Sequence, residues 1–349
     1  MILRGYQNDA VAGVLDQWGK VSSTLGCCAT GGGKTQIFCE VIRRRMPGRA
    51  LILAHRKELV SQIVNRLKSF GMEAEIEQGE LWARSNLFSS CPVVVATPQT
   101  LYSSNFARLK RFKPEEFSTV ICDEAHHYSG APAFEAVIRH FKQNPNAKIL
   151  GVTATPDRTD NIAMSKVFDS VAFDIEITDL IKLGYLVDID QRMVKIESLD
   201  FSKCHETSAG ELNGAEMAQV LEFERTLQGM ADATIRTVGD KRTVVFAASV
   251  KQAERLSEIL NRHKNFSSEC VFGHTTPQDR LKVLERFSKG DLQICVNVGV
   301  LTEGYDNPGI EAVVMARATL SRALYAQMAG RGTRPLPGIV EGVSEDSPD

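Results

Sequence analysis

No run of 18 apolar residues occurs in this sequence, so no membrane-crossing helix is expected. The first ten residues, MILRGYQNDA, hold neither a long apolar stretch nor a small-residue cleavage site, and no secretory signal is expected. The eight cysteines are scattered, with one adjacent pair, Cys27 and Cys28. They form no C-x-x-C and no Cys/His cluster at zinc spacing. Reduced thiols in a cytoplasmic protein are the simplest reading. An excess of charge is also lacking: Lys and Arg number 41 against 43 Asp and Glu, a formal net charge of −2. Such a balance does not mark a nucleic-acid binder by itself, yet it leaves room for a local positive groove.

What is present fits a globular chain with two domains: 349 residues, 43% apolar and 24% charged. Short β-branched runs recur, each followed by a helical pattern. They are TLGCCAT (24–30), RALILAH (49–55), PVVVATPQTL (92–101), STVICDEAH (118–126) and AKILGVTATP (147–156). Continuous apolar runs alternating with helices predict an α/β fold with parallel sheets buried on both faces. The rhythm then lapses. Residues 157–185 read as a connector, YLVDIDQRMVKIES (185–198) as one or two strands, and 213–239 as one helix of about seven turns, with Met217, Val220, Leu221, Phe223 and Leu227 on its apolar stripe. It resumes with RTVVFAAS (242–249), SSECVFGHT (267–275), LQICVNVGVLTEG (292–304) and IEAVVMARAT (310–319). The expected division is a first α/β domain over 1–156, a connecting and partly helical segment over 157–240, a second α/β domain over 241–335, and a polar tail over 336–349.

CATGGGKT (28–35) nearly matches the phosphate loop G-x-x-x-x-G-K-[ST], with Cys28 where the first Gly belongs. A strand-like run precedes it and an amphipathic helix follows. Glycines there let backbone N–H groups turn onto phosphate oxygens at a helix N-terminus. Lys34 would reach the β- and γ-phosphates and Thr35 would ligate Mg²⁺. A plain Gly turn before a helix is the alternative. Asp123-Glu124-Ala125-His126 closes an apolar run, which puts carboxylates on the rim where ligands of parallel sheets bind. Asp123 could hold Mg²⁺ and Glu124 could activate water; a solvated acidic turn would look the same. Arg331 and Arg334, three apart, would share a helix face and could stabilise transferring phosphate, or simply end a helix favourably.

Together these motifs resemble a superfamily 2 helicase or translocase with two tandem RecA-like domains, most similar to the DEAH-box-like proteins allied to RadD and to restriction-enzyme motor subunits. LRGYQ (3–7) resembles the Q motif, ATGGGKT motif I, LILAHRKELVSQ (51–62) motif Ia, TPQTL (97–101) Ib, DEAH motif II and TAT (153–155) motif III. VVFAASVKQAERL (244–256) resembles motif IV, VNVGVLTEGYDNP (296–308) motif V and QMAGRGTRP (327–335) motif VI. In that family motif I commonly lacks the distal Gly, so Cys28 does not count against the site.

The resemblance implies ATP and Mg²⁺ as cofactors, in the cleft between the domains. It assigns nucleotide contacts to Arg4, Gln7, Thr30, Gly31, Gly32, Gly33, Lys34, Thr35, Gly304 and Asp306. Gln7 would read adenine through an amide that donates and accepts at once. Gln327 would lie near the attacking water or the γ-phosphate, beside Arg331 and Arg334. His126, Thr153 and Thr155 would couple the domains. Nucleic acid, most simply DNA in repair, recombination or replication, would meet His55, Arg56, Lys57, Thr97, Gln99, Ser249, Lys251 and Thr302. These are phosphate contacts, without sequence reading. Three functions remain open: an unwinding helicase, a double-stranded DNA translocase, and a truncated binding module without catalysis. A single-domain small-molecule kinase would leave the second block unused. The family continues its second sheet beyond motif VI, where this sequence has only a polar tail, so either the second domain ends early or this is a fragment of a longer protein.

Overall fold

The computed structural model describes residues 2–55, 57–83, 91–128, 131–154, 164–165, 167–207, 211–263, 266–302, 305 and 307–336. The chain forms two compact units, Met1–Leu180 and Ile181–Pro348. In the first, chain order gives α1 (Gly5–Trp18), β1 (Ser23–Cys28), α2 (Lys34–Arg44), β2 (Arg49–Leu53), α3 (Lys57–Ser69), β3 (Ala74–Glu77), β4 (Val93–Ala96), α4 (Pro98–Phe106), β5 (Phe117–Asp123), α5 (Pro132–Phe141), β6 (Lys148–Thr153) and β7 (Ser170–Ile175). α6 (Ile177–Lys182) follows. The strands make one sheet in the order β3-β4-β2-β5-β6-β1-β7, and every described pairing is parallel.

Period-two alternation explains the continuous apolar runs. On β2, Ala50 and Ile52 face the core beneath α1, α2 and α3, while Leu51 and Leu53 face the one beneath α4 and α5. Both sides of each central strand leave water, which stabilises by roughly 1.5–3 kcal/mol per large apolar side chain. Edge strand β7 lies within the expected connector 157–185. It pairs with β1 and is only partly buried, with Val171 56% exposed.

The second unit carries α7 (Gly214–Leu221), α8 (Glu224–Val238), β8 (Thr243–Ala247), α9 (Val250–Leu260), β9 (Ser268–Val271), α10 (Pro277–Lys289), β10 (Ile294–Asn297), β11 (Ala312–Ala316) and α11 (Arg322–Ala329). Its sheet runs β11-β8-β10-β9, again parallel. Val245, Ala247, Ile294 and Val296 face α8 and α9; Val244, Phe246 and Cys295 face the other way.

Two expectations fail here. Residues 213–239 form two helices, because Phe223 is extended (φ −64°, ψ 128°) and interrupts the backbone ladder. Phe223 is 59% exposed rather than on the apolar stripe. Residues 185–198 form no strand: Met193 is 92% exposed, and no ladder partner accompanies the segment among the described residues.

Candidate nucleotide and nucleic-acid site

Because the sheet of the first unit is parallel, the C-terminal ends of β1, β2, β4, β5 and β6 share one rim. Strand order sets β6 between β5 and β1, with Cys27 opposite Thr153 and Asp123 opposite Val152. The loop after β1 and the acids ending β5 are therefore one strand apart, and Thr153 stands between them.

The loop is shaped by its glycines. Gly31 (φ +85°) and Gly33 (φ +76°) adopt left-handed backbone, and Gly33 precedes α2 directly. A Cβ on Gly32 would stand 2.3 Å from Cys28 Sγ, so the loop closes onto the residue replacing the usual first glycine. Cys28 is fully buried and burial pushes its thiol up to about 12, which keeps it protonated and unreactive. Thr30 is buried and Thr35 half-buried in the first turn of α2.

Lys34 Nζ donates to Glu124 Oε1 at 2.7 Å, and both side chains are 13% exposed. Burial works against the ammonium, but the Glu124 carboxylate, then Asp123, outweigh it and hold Lys34 above its ordinary value. Glu124 itself has φ +50°, an uncommon conformation for a non-glycine residue. Its N–H donates to Asp123 Oδ1 at 3.1 Å. His126 Nδ1 shares a hydrogen bond of 2.9 Å with Thr153 Oγ1. The ring of His127 lies 4.0 Å from those of His55 and His126.

Gln7 is neither exposed nor open. It is 2% exposed; its Nε2 donates to Gln36 Oε1 at 2.8 Å and to the Gly32 carbonyl at 3.4 Å, while its Oε1 accepts the Arg4 N–H at 3.0 Å. Tyr6 adds a 2.9 Å bond from its hydroxyl to the same Gly32 carbonyl. Arg4 is the N-cap of α1. Tyr6 stands inside LRGYQ without an assigned role, and Gln36, in the first turn of the helix that the loop opens, carries no signal of its own in the sequence.

The remaining candidates divide by unit. Thr97 is buried before α4 and shares a 2.8 Å bond with Thr100, while Gln99 is exposed. Ser249 caps α9, accepting the Gln252 N–H at 3.0 Å, and its hydroxyl donates to Glu222 at 2.6 Å. Lys251 pairs with the same carboxylate at 3.0 Å. Arg331 and Arg334 do not share a helix face, since α11 ends at Ala329 and only a 3₁₀ turn, Gly330–Gly332, follows. Arg331 is 6% exposed and donates to the carbonyls of Thr302 and Tyr305, each at 2.7 Å. Gln327 is buried on α11. Arg56, Thr155, Gly304 and Asp306 lie outside the described residues, as does the side chain of Lys57.

These features coincide with matches to known proteins. Residues 1–158 match the family model for the type III restriction enzyme, res subunit, and residues 226–335 that for the helicase conserved C-terminal domain. The two matches and the relatives that follow support a superfamily 2 helicase of the restriction-enzyme motor type. IRC3 of Saccharomyces cerevisiae, named as an ATP-dependent helicase, is 28% identical over 95% of this chain and 49% of its own length. A fragment structure named for the HsdR subunit of a type I restriction enzyme from Vibrio vulnificus YJ016 aligns with a TM-score of 0.69 at 22% identity, over 96% of this chain and 62% of that one. The type ISP restriction-modification enzyme LlaBIII, bound to DNA, aligns with a TM-score of 0.69 at 20% identity, over 97% of this chain and 27% of its own. Two tandem RecA-like domains are thus the fold. The chain spans about half the length of the curated relatives it matches. No helix among the described residues is long and apolar enough to cross a membrane.

The residues fit a magnesium–triphosphate group. Lys34 and the helix start behind Gly33 supply a cation and N–H donors for phosphate oxygens. Thr35 and Asp123 supply the hydroxyl and carboxylate oxygens that a hard cation selects.

Proposed function

We propose that this helicase-family chain hydrolyses ATP and uses the energy to move along, or unwind, DNA. The observation carrying this reading is the 2.7 Å contact between Lys34 and Glu124, which draws motif I and motif II together on one rim. Lys34 would transfer its ammonium from Glu124 to the incoming phosphates. Glu124, released, would orient and deprotonate the attacking water. Thr35 and Asp123 would hold Mg²⁺, which offsets charge on the phosphate oxygens during transfer. On the family likeness, Gln327, Arg331 and Arg334 would act on the same nucleotide. Thr97, Gln99 and Thr302 would meet phosphates of the strand, giving binding that is salt-sensitive and blind to sequence. DNA is favoured over RNA because the family model matched by residues 1–158 is that of a restriction-enzyme subunit; the structural neighbours include both DNA-bound and RNA-bound proteins and do not decide between them. All eight cysteines are free, which suits a reducing compartment such as the cytoplasm.

The test is steady-state ATPase activity alone and with single-stranded DNA, duplex DNA, forked DNA or RNA, with Lys34→Ala as blank. Stimulation by one DNA form is expected. A rate at the blank level with every nucleic acid would refute catalysis and leave a binding module. Strand-displacement beside triplex-displacement assays separates unwinding from duplex translocation.

A further inference from the structure

Trp82 stands in a loop that follows edge strand β3. It is 57% exposed, yet its ring is held: the Arg108 guanidinium carbon lies 3.8 Å from the ring centroid and that of Arg111 4.7 Å. Both arginines are themselves anchored. Arg108 donates to the Gly79 carbonyl and Arg111 to the Ala83 carbonyl, and both pair with Glu77, which is fully buried. Glu77 Oε2 also accepts the Ala83 N–H at 2.8 Å, so the loop returns to the strand end. Gln78 and Leu81 close the turn with reciprocal backbone hydrogen bonds. A buried carboxylate and two arginines are thus committed to presenting one indole to solvent.

Its place in the sheet says to what. Glu77 at the end of β3 sits opposite Ala96 at the end of β4, and Thr97 and Gln99 follow Ala96 at once. The loop that carries the indole therefore leaves the same rim as the candidate phosphate contacts of the first unit. The two guanidiniums at the ring, Arg108 and Arg111, outnumber the one carboxylate they pair with, Glu77. Among the described residues, Leu81 is the one other large apolar side chain exposed in the turn. Two such side chains are too little apolar surface for a stable protein interface, which needs roughly 800 Å² per partner. An indole held by guanidiniums over its ring, with more than half of the residue still exposed, offers surface to a base and cations to its phosphate.

We propose that Trp82 is a stacking platform for an unpaired base of a single-stranded nucleic acid. The proposal rests on the nucleic-acid reading above and deepens it, by adding a contact to bases where the other candidates touch phosphates. The ring is ordered before binding, so stacking costs little additional side-chain entropy.

The experiment uses a thymidine strand of about 20 nucleotides, longer than one binding site, an abasic strand of equal length, and a duplex. Anisotropy gives affinity and intrinsic fluorescence gives stacking. The sequence has two tryptophans, and Trp18 is only 4% exposed, so quenching on binding reports Trp82. The thymidine strand should quench and the abasic strand should not. Trp82→Ala should weaken thymidine-strand binding by about fivefold to a hundredfold, one base stack, with abasic binding unchanged. Trp82→Phe should recover most of the loss while abolishing the quench. Equal affinity for both strands, or binding without quenching, would overturn the stack alone. No binding to any probe would overturn both the stack and the nucleic-acid reading.

Discussion

Adding a methyl at position 32 tests the tightest contact in the phosphate loop. The new Cβ would meet Cys28 Sγ at 2.3 Å, Leu180 Cδ1 at 2.9 Å and the Ala29 carbonyl oxygen at 3.1 Å. Ordinary contact needs about 3.5–4 Å. Cys28 is fully buried and cannot retreat, whereas the Leu180 methyl ends a flexible side chain. Gly32, unlike Gly31 and Gly33, is not among the positive-φ glycines, so the penalty is steric rather than conformational. Overpacking of this kind costs about 1–3 kcal/mol. Cys28→Ala removes the sulfur and costs about 1 kcal/mol by itself. In that background Gly32→Ala occupies the vacated space, and its cost should fall by about 1 kcal/mol or more. Coupling of that size exceeds the ~0.3–0.5 kcal/mol within which independent sites add. The assay is urea unfolding of the four proteins in a Trp82→Phe background. Emission then comes from Trp18, which donates to the Ile149 carbonyl at 3.1 Å and reports the first unit. Additive costs, or a neutral Gly32→Ala, would refute the account of why cysteine sits in the loop.

Glu124→Gln should keep ATP binding and abolish turnover, leaving unhydrolysed nucleotide trapped on the protein; rapid turnover would remove Glu124 from the chemistry. Ser249→Ala should cost about 1–2 kcal/mol through its lost cap, read as faster amide exchange of Gln252, and unchanged exchange would deny the capping role. The same residue sets a pH dependence. Burial pushes Glu222 up, but the Ser249 hydroxyl and Lys251 outweigh it and hold the carboxyl below the usual range. The stability it contributes is full above the unfolded value and lost as pH falls through the folded one. Ser249→Ala should flatten that acid-side loss, and an unaltered pH profile of α9 protection would refute the assignment.

The elements legible in the sequence are those buried on both faces. β2, β4, β5, β6, β8 and β10 read as unbroken apolar runs because water reaches neither side. Edge strands lack that mark. β7 is at most half-buried along its whole length, with Val171 and Asp174 exposed, and β3 is four residues with two glutamates. Both vanish into connectors when read alone. The false strand at 185–198 has the converse cause: its apolar residues, such as Met193 and Val194, stay exposed, and the segment pairs with no strand among the described residues. The break at Phe223 leaves no Gly or Pro and keeps the apolar period, so it is invisible to pattern reading. The loop and the acids of the candidate site were legible because their chemistry demands fixed residue types. The support beneath them, Gln36 under Gln7 and Glu77 under Trp82, was not, because a buried hydrogen-bond partner can be almost any polar residue.

That support changes how the site must work on the proposed reading. Several of the described side chains at the candidate site already have internal partners. Gln7 holds Gln36, Lys34 holds Glu124, His126 holds Thr153, Ser249 holds Glu222, and Arg331 holds two carbonyls. Ligand contacts made by these groups are exchanges, and an exchanged hydrogen bond nets about 0.5–1.5 kcal/mol rather than its full strength. The exchange at Lys34 has a chemical consequence as well. While its ammonium rests on Glu124, the carboxylate is a poor base and the lysine has its charge committed. Arriving phosphates compete for the ammonium, and in winning it they release the carboxylate toward water. On that reading, substrate binding and activation of the base would be one event.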